Sequence, residues 1–550
     1  MSKKIQSQEV TEGVERAPHR AMFRAMGYDD EDLASSMVGI ANPAADITPC
    51  NVHLDDVADA AREGIEDAGG MPVEFGTITV SDAISMGTEG MKASLISREV
   101  IADSVELASF AERMDGLVTL GGCDKNMPGM MMASIRADLP SVFLYGGSIK
   151  PGEFQGEDVT IQNVFECVGA TAKGEMTEEK LDELERSACP GPGACGGMFT
   201  ANTMSSISEA IGFAPLGSAS PPAEDQERYD VARRSGELAV EVVEEKRRPS
   251  DFLSKESFEN AIALQVAIGG STNAVLHILA MAAEADIDLS IDEFDEVSRR
   301  TPKIADMQPG GERVMNDLHE VGGVPVVLKA LYDADLLHGD AMTVTGKTLG
   351  EEIERLDPPA IEDTDADFLY PVEDPKNEQG AIRILKGNLA PGGAVLKVTG
   401  EDNLHHEGPA RVFEGEEAAM EYVQTEGAET GDVIVVRNEG PRGGPGMREM
   451  LGVTAAVAGQ GHWGDVALTT DGRVAGATRG GRRAGGRRRR RLPRRGVPRR
   501  PHRRRLRDRP REGRGRPRRG GARAEPRPGG VPRVPRPRRR VGGCRSPPVR

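Results

Sequence analysis

Two periodicities alternate through the first 350 residues of this 550-residue chain. The apolar, β-favouring runs MPVEFGTITV (71–80) and MDGLVTLGG (114–122) have the length of buried strands, and each runs out into a loop. Between them, SLISREVIADSVELASFAERM (94–114) sets its apolar residues at helical spacing. Strand, helix, strand predicts an α/β fold, in which chemistry collects in loops beyond the strands' carboxyl ends. SDAISMG (81–87) and GGCDKN (121–126) occupy that position.

The pattern changes after residue 356. DPPAIEDTDADFLYPVEDPKNEQG (357–380) is acidic, carries prolines and lacks helical period, so it reads as a linker. Strand-like pieces with glycine turns follow: AIRILKG, GAVLKVTG, ARVFEG, DVIVVRN and DVALTTDG. The expected organisation is an α/β domain over 1–356, the linker, and a smaller β-rich, β-barrel-like domain over 381–479. The length agrees with two domains. No internal repeat is present.

From about residue 480 the composition belongs to neither domain. Residues 479–550 hold 31 arginines, no lysine, three acids and two leucines. Nothing there could build a core, and like-charged blocks of this kind stay disordered. A nucleic-acid-binding arm is one reading. A frameshift is the favoured one: a GC-rich gene read out of frame yields mainly Arg, Pro, Gly and Ala codons, and the onset is abrupt within a glycine-rich motif. Removing these residues from the totals of 69 basic and 88 acidic side chains leaves 38 and 85, a balance of −47 over 1–478. Such a surface repels nucleic acid and anionic membrane, and is of the kind found on proteins from salt-loving organisms. With no run of 18 apolar residues, and no apolar stretch in MSKKIQSQEV, a soluble cytoplasmic protein is expected.

Six cysteines in so long a chain do not make a disulfide framework. Three lie in glycine- and proline-rich loops: Cys50 in ITPCNVH, Cys123 in GGCDKN and Cys195 in GPGACGGMFTANTM. Small neighbours let backbone approach a bulky inorganic group, and thiolates are the usual ligands of iron–sulfur clusters. Spacings this wide leave three unrelated buried cysteines as an equal alternative. Cys167 sits on an apolar helical pattern and reads as core, Cys189 as a spare thiol, and Cys544 belongs to the tail. Hard oxygen donors accompany the thiols: Asp82 after a strand, Asp124 beside Cys123, and Glu449 in GPRGGPGMREML. Carboxylates in loops suit Mg²⁺, although among 88 acids a solvated surface charge is the ordinary role. Lys125 could bind a cation only as a carbamate. VTGKTLG (344–350) imitates the end of a phosphate loop, but the required first glycine falls at Ala341, so the match fails and nucleotide binding is not expected.

The segments SDAISMGTEGM, TLGGCDKNMPGMMMA, ACPGPGACGGMFTANTM, AIGGSTNAVLH, EGPRGGPGMREML and TTDGR resemble, in order over roughly residues 15–480, the signatures of the dihydroxy-acid dehydratases. The superfamily also holds sugar-acid dehydratases. The resemblance implies an iron–sulfur cluster on Cys50, Cys123 and Cys195, with 2Fe-2S expected ahead of 4Fe-4S. It implies Mg²⁺ on Asp82, Asp124, Glu449 and carbamylated Lys125, a small dihydroxy acid as substrate, and a homodimer. One loop would then join two metals, Cys123 facing the cluster while Asp124 and Lys125 face Mg²⁺. The departure lies at the base. The family follows TTDGR with a Phe-Ser-Gly segment whose serine accepts the proton, whereas DGRVAGATRG places Ala475 there. Alanine has no proton to exchange, so impaired activity is expected.

Overall fold

The computed structural model describes residues 4–172, 174–398, 405–441, 446–462, 465–474 and 482–484. Four strands, β1 (Met37–Asn42), β2 (Met71–Gly76), β3 (Gly116–Gly121) and β4 (Ser141–Tyr145), form a parallel sheet in the order β2-β1-β3-β4. The crossover helices are α1 (Leu54–Asp67), α2 (Ser94–Ala111) and α3 (Asn126–Ala137). The first crossover steps one way across the sheet and the other two step back. Right-handed connections therefore put α1 on one face and α2 and α3 on the other. α2 accordingly packs on α3. The order reverses between β1 and β3, and such a switch point opens a crevice at the strands' carboxyl ends.

β1, β3 and β4 are buried along their whole lengths, which explains their continuous apolar runs, whereas edge strand β2 alternates. β2 stops at Gly76 rather than at residue 80. Its partner β1 ends at Asn42, and the next residue, Pro43, has no N–H to continue a ladder. α2 closes at Ala111, three residues short of the expected end. Arg113 takes φ 59° and the Met114 N–H caps the Ser109 carbonyl at 3.1 Å.

Beyond the sheet come α4 (Thr200–Ala210), α5 (Gln226–Glu245), α6 (Lys255–Ala267) and α7 (Asn273–Glu284). α5 lies against α1 with backbones in contact: a Cβ on Gly64 would stand 1.9 Å from the Arg233 carbonyl oxygen, so only glycine fits. The stretch 357–380 packs back onto this region, with Phe368 and Leu369 buried and bridges joining Leu369 to Ala305 and Asn377 to Lys303.

The C-terminal region contains all five expected strands: β5 (Ile382–Leu385), β6 (Ala394–Lys397), β7 (Ala410–Glu414), β8 (Val433–Arg437) and, after a short β9 (Glu449–Met450), β10 (Ala467–Thr470). β11 (Arg473–Val474) pairs with β9, and β12 (Arg482–Ala484) enters the main sheet, whose order is β5-β6-β12-β10-β8-β7. β12 thus carries strand pairing past residue 479. Pairing of β7, β8 and β10 is parallel, which requires crossovers. α8 (Glu416–Thr425) and α9 (Gly452–Gly459) serve there, so the region is mixed α/β. No described pair of strands closes β7 onto β5. A core of its own, including Ala419, Val423, Ile434, Val436 and Val457, joins the two helices to the sheet. Even so, residues 1–489 cluster as one unit. Among the described residues no helix is long and apolar enough to cross a membrane.

Candidate metal centre

Every expected ligand in the N-terminal region lies past the carboxyl end of a parallel strand. Cys50 follows β1, Asp82 follows β2, Cys123, Asp124 and Lys125 follow β3, and Cys195 lies on a loop bridged to the segment after β4 through Ser148 and Ala194. Glu449 arrives from the C-terminal region on β9. One oxygen from each of Asp82, Asp124 and Glu449 lies within 4.8 Å of the others.

The Lys125 ammonium stands among these carboxylates with no exposed surface. It donates to Asp82 and, at 3.3 Å, to Glu449, and lies 3.7 Å from Asp124. Arg473 on β11 donates to Glu449 at 2.6 Å and to Asn273 Oδ1 at 3.2 Å. Its Nη2 is buried without a partner among the described residues. Ser94, the first residue of α2, donates to Asp82 at 2.9 Å. The electrostatics follow. Burial pushes the Asp124 carboxyl up to about 7, against the pull of Lys125. Burial acts the same way on Glu449, but Lys125 and Arg473 overcome it and hold Glu449 at about 2. Burial would lower the Lys125 amine, yet Asp82 and Glu449 outweigh it and raise it.

Ionised carboxylates this close repel by on the order of 3 kcal/mol per pair at an effective dielectric near 20. With Asp124 ionised, the three of them against two cations leave one negative charge in excess. The ammonium therefore stands where a small hard cation would neutralise the set, and an all-oxygen donor group fits Mg²⁺.

The thiols lie on three interlaced loops. Cys50 and Cys123 are buried, with their thiols close enough to interact. Asn126 Oδ1 accepts from the backbone N–H groups of Gly122 and Cys123 at 2.9 and 2.8 Å, curling the β3 loop into the start of α3. A Cβ on Gly122 would meet the Cys50 carbonyl oxygen at 2.2 Å, so the first two loops touch backbone to backbone. Gly193 N–H donates to the Pro49 carbonyl at 2.8 Å, tying the Cys195 loop to the Cys50 loop. The interaction with Cys50, then burial, raises the Cys123 thiol. Burial raises Cys195, with Asp124 and Cys123 adding to it. These are protonated thiols that a thiophilic group would deprotonate on binding, and the glycine-lined approach fits an iron–sulfur cluster. Cys167 packs in a small satellite core and Cys189 is exposed, apart from this group.

The sequence did not assign roles to Ser94, Asn273 or Arg473. Asn273 and Arg473 stand inside quoted motifs, and a polar residue opening an apolar helix, as in TNAVLHILA, was the available signal. Ala475 and residues 485–550 lie outside the described residues, as does Cys544. The last described residue before Ala475 is Val474, whose carbonyl accepts from Thr272 Oγ1 at 3.4 Å.

Comparison with known proteins places the chain in a family. Residues 35–352 match the profile of the dihydroxy-acid/6-phosphogluconate dehydratase N-terminal domain, and 367–483 match that of the C-terminal domain. A dihydroxy-acid dehydratase of Haloarcula marismortui is 78% identical over 476 residues, covering 86% of this chain and 83% of that protein. One of Natronomonas pharaonis is 74% identical over 481 residues, 87% of this chain and 81% of that protein. One of Mycobacterium tuberculosis is 53% identical over 482 residues, 87% and 83% respectively. With both profiles matched in order and relatives 53–78% identical over most of the chain, this chain belongs to the dihydroxy-acid/6-phosphogluconate dehydratase family.

Proposed function

We propose that the fold is that of a hydro-lyase for 2,3-dihydroxy-3-methylbutanoate and 2,3-dihydroxy-3-methylpentanoate, yielding the 2-oxo acids of valine and isoleucine biosynthesis. The observation that carries this reading is the convergence of Asp82, Asp124 and Glu449 on Lys125, one residue from Cys123's neighbour in the same loop. Asp82, Asp124 and Glu449 would hold Mg²⁺, and Cys50, Cys123 and Cys195 an iron–sulfur cluster, 2Fe-2S in preference to 4Fe-4S. When bound, these groups supply Lewis acidity towards the substrate's carboxylate and C2 hydroxyl and towards the departing C3 hydroxyl.

The chain's own residues do the rest. Arg473 has a buried Nη2 that no described residue engages and that could meet an anionic substrate, which an acidic protein needs. Asp82 and Glu449 position the Lys125 nitrogen, whose ammonium, on losing two protons and adding CO₂, would become a carbamate oxygen donor. The reaction breaks the C2–H and C3–O bonds, releases water and leaves an enol that tautomerises to the 2-oxo acid. Its C2 proton needs an acceptor, and Ala475 offers none. Residues 480–550 are read as a frameshift product, and the end of the family match at 483, close to that onset, supports that.

A cytoplasmic, salt-adapted homodimer fits the rest. The outward face of α2 carries Ile96, Val100, Leu107 and Phe110, 43–67% exposed, while its inward face buries Ile101, Ala102 and Val105. A helix apolar on both sides calls for a partner. To test the function, the chain is loaded anaerobically with iron, sulfide and Mg²⁺, and ligands are titrated against the cluster's spectrum. The branched dihydroxy acids should perturb it, and gluconate or xylonate should not. Equal or stronger response to the sugar acids would point to a sugar-acid dehydratase.

A further inference from the structure

We infer that Asn202, clamped by Tyr145, is the positioning residue that aims the Cys195 thiolate; the inference rests on the three-cysteine reading of the cluster. Asn202 lies in the first turn of α4 and has no exposed surface. Its Nδ2 donates to three successive carbonyls, those of Cys195, Gly196 and Gly197, at 2.9, 3.1 and 2.8 Å. An amide with two hydrogens spread over three oxygens forces the chain to curl around it, and the cysteine stands at the head of that curl. Asn202 Oδ1 accepts from the Tyr145 hydroxyl at 2.7 Å, which fixes which way the carboxamide faces.

Tyr145 is itself immobilised at both ends. It is the last residue of β4, 2% exposed, and the Arg228 guanidinium lies over its ring at 5.4 Å from the centroid. Arg228 Nη1 also donates to the Tyr145 carbonyl at 2.8 Å. The central sheet is thus connected to the third cluster ligand by one unbroken line: β4, the Tyr145 hydroxyl, the Asn202 amide, the Cys195 carbonyl. The other two cysteine loops are held differently: Asn126 Oδ1 accepts from the Cys123 N–H at 2.8 Å, and the Cys50 loop meets the Cys123 loop backbone to backbone at Gly122. Backbone bridges from Gly147 and Ile149 to Ala194 secure the approach to Cys195, and Met315 N–H adds a bond to Gly196. Asn202 supplies the side-chain hold on the cysteine's own carbonyl. Outer partners of this kind orient a metal ligand and tune the group it binds.

The test compares the full chain with Tyr145→Phe and Asn202→Asp. Tyr145→Phe removes only the clamp; Asn202→Asp puts a carboxylate against three carbonyl oxygens. Two readouts are taken: iron retained against a chelator, with the electron paramagnetic resonance spectrum of the reduced cluster; and, in the metal-free protein, the rate at which iodoacetamide alkylates each cysteine. Tyr145→Phe should keep its iron and shift the resonance. Asn202→Asp should hold iron about 10–100-fold less tightly. Both should speed alkylation of Cys195 and leave Cys50 and Cys123 unchanged. Wild-type iron retention, resonance and Cys195 alkylation in Tyr145→Phe and in any folded Asn202→Asp protein would overturn the inference. If Asn202→Asp does not fold, Tyr145→Phe decides alone. If the unmodified chain takes up no iron, the cluster reading fails, and the alkylation rates still decide whether Asn202 positions Cys195.

Discussion

Lys125 is surrounded by acids, and Cys123 two residues before it by another thiol. Hard and soft donors thus follow one another in a single short turn, and single substitutions should separate their roles. Asp82→Ala should weaken Mg²⁺ binding, measured calorimetrically, and leave the cluster's visible absorbance in place. Cys123→Ser should remove bound iron and colour; unchanged iron would contradict the ligand assignment. A buried acid elsewhere gives a test in pH. Glu209 on α4 accepts from Ala219 N–H at 2.6 Å, and burial, against the pull of those backbone donors, pushes its carboxyl from 4.5 up to about 7. A carboxyl raised on folding binds its proton more tightly in the native state. Its contribution is therefore full below pH 4.5 and is lost as pH rises to about 7. Unfolding curves for wild type and Glu209→Gln should diverge across that window, by about 3 kcal/mol in the variant's favour at the alkaline end. Parallel curves would show that Glu209 is not held neutral.

At the scale of elements, glycine contacts decide how closely the loops approach. Gly122→Ala drives a methyl against the Cys50 carbonyl, so iron uptake should fall and stability drop by about 1–3 kcal/mol. Wild-type iron content in that variant would mean the loops have slack. The sequence showed the strands and helices whose periodicity is strong: 71–76, 94–111 and 116–121 each lie within the segments expected for them. It also showed the donor-bearing loops, because a carboxylate or thiol after a buried strand is visible in one dimension. It did not show α8 and α9. Strand periodicity does not distinguish parallel from antiparallel pairing, and only the pairing requires the crossovers. Arg473 and Ser94 also escaped notice. Their importance comes from meeting Glu449 and Asp82, 24 and 12 residues away, and no local pattern encodes that.

The whole molecule carries its acids without matching bases over residues 1–478, so its stability should depend on screening. Raising salt from about 0.1 to about 1 M shortens the Debye length from about 10 to about 3 Å. The melting temperature should rise over that range; a fall or a flat response would remove the case for salt adaptation. Catalysis, too, belongs to this scale, because the proposed metal ligands precede, and the proposed base position and the arginine-rich end follow, one point in the chain. The lost base alone is worth roughly 10²–10⁴-fold in rate. Ala475→Ser by itself should not restore activity if the residues after it are also foreign to the fold. The most direct measurement is formation of 2-oxo-3-methylbutanoate from 2,3-dihydroxy-3-methylbutanoate, after anaerobic loading with iron, sulfide and Mg²⁺. It compares the 550-residue chain with one continued past Arg473 by the corresponding segment of the Haloarcula marismortui relative. The continued chain should form the 2-oxo acid and the 550-residue chain should not. Comparable turnover by both would contradict the assignment of the base to position 475, and none by either would contradict the proposed reaction.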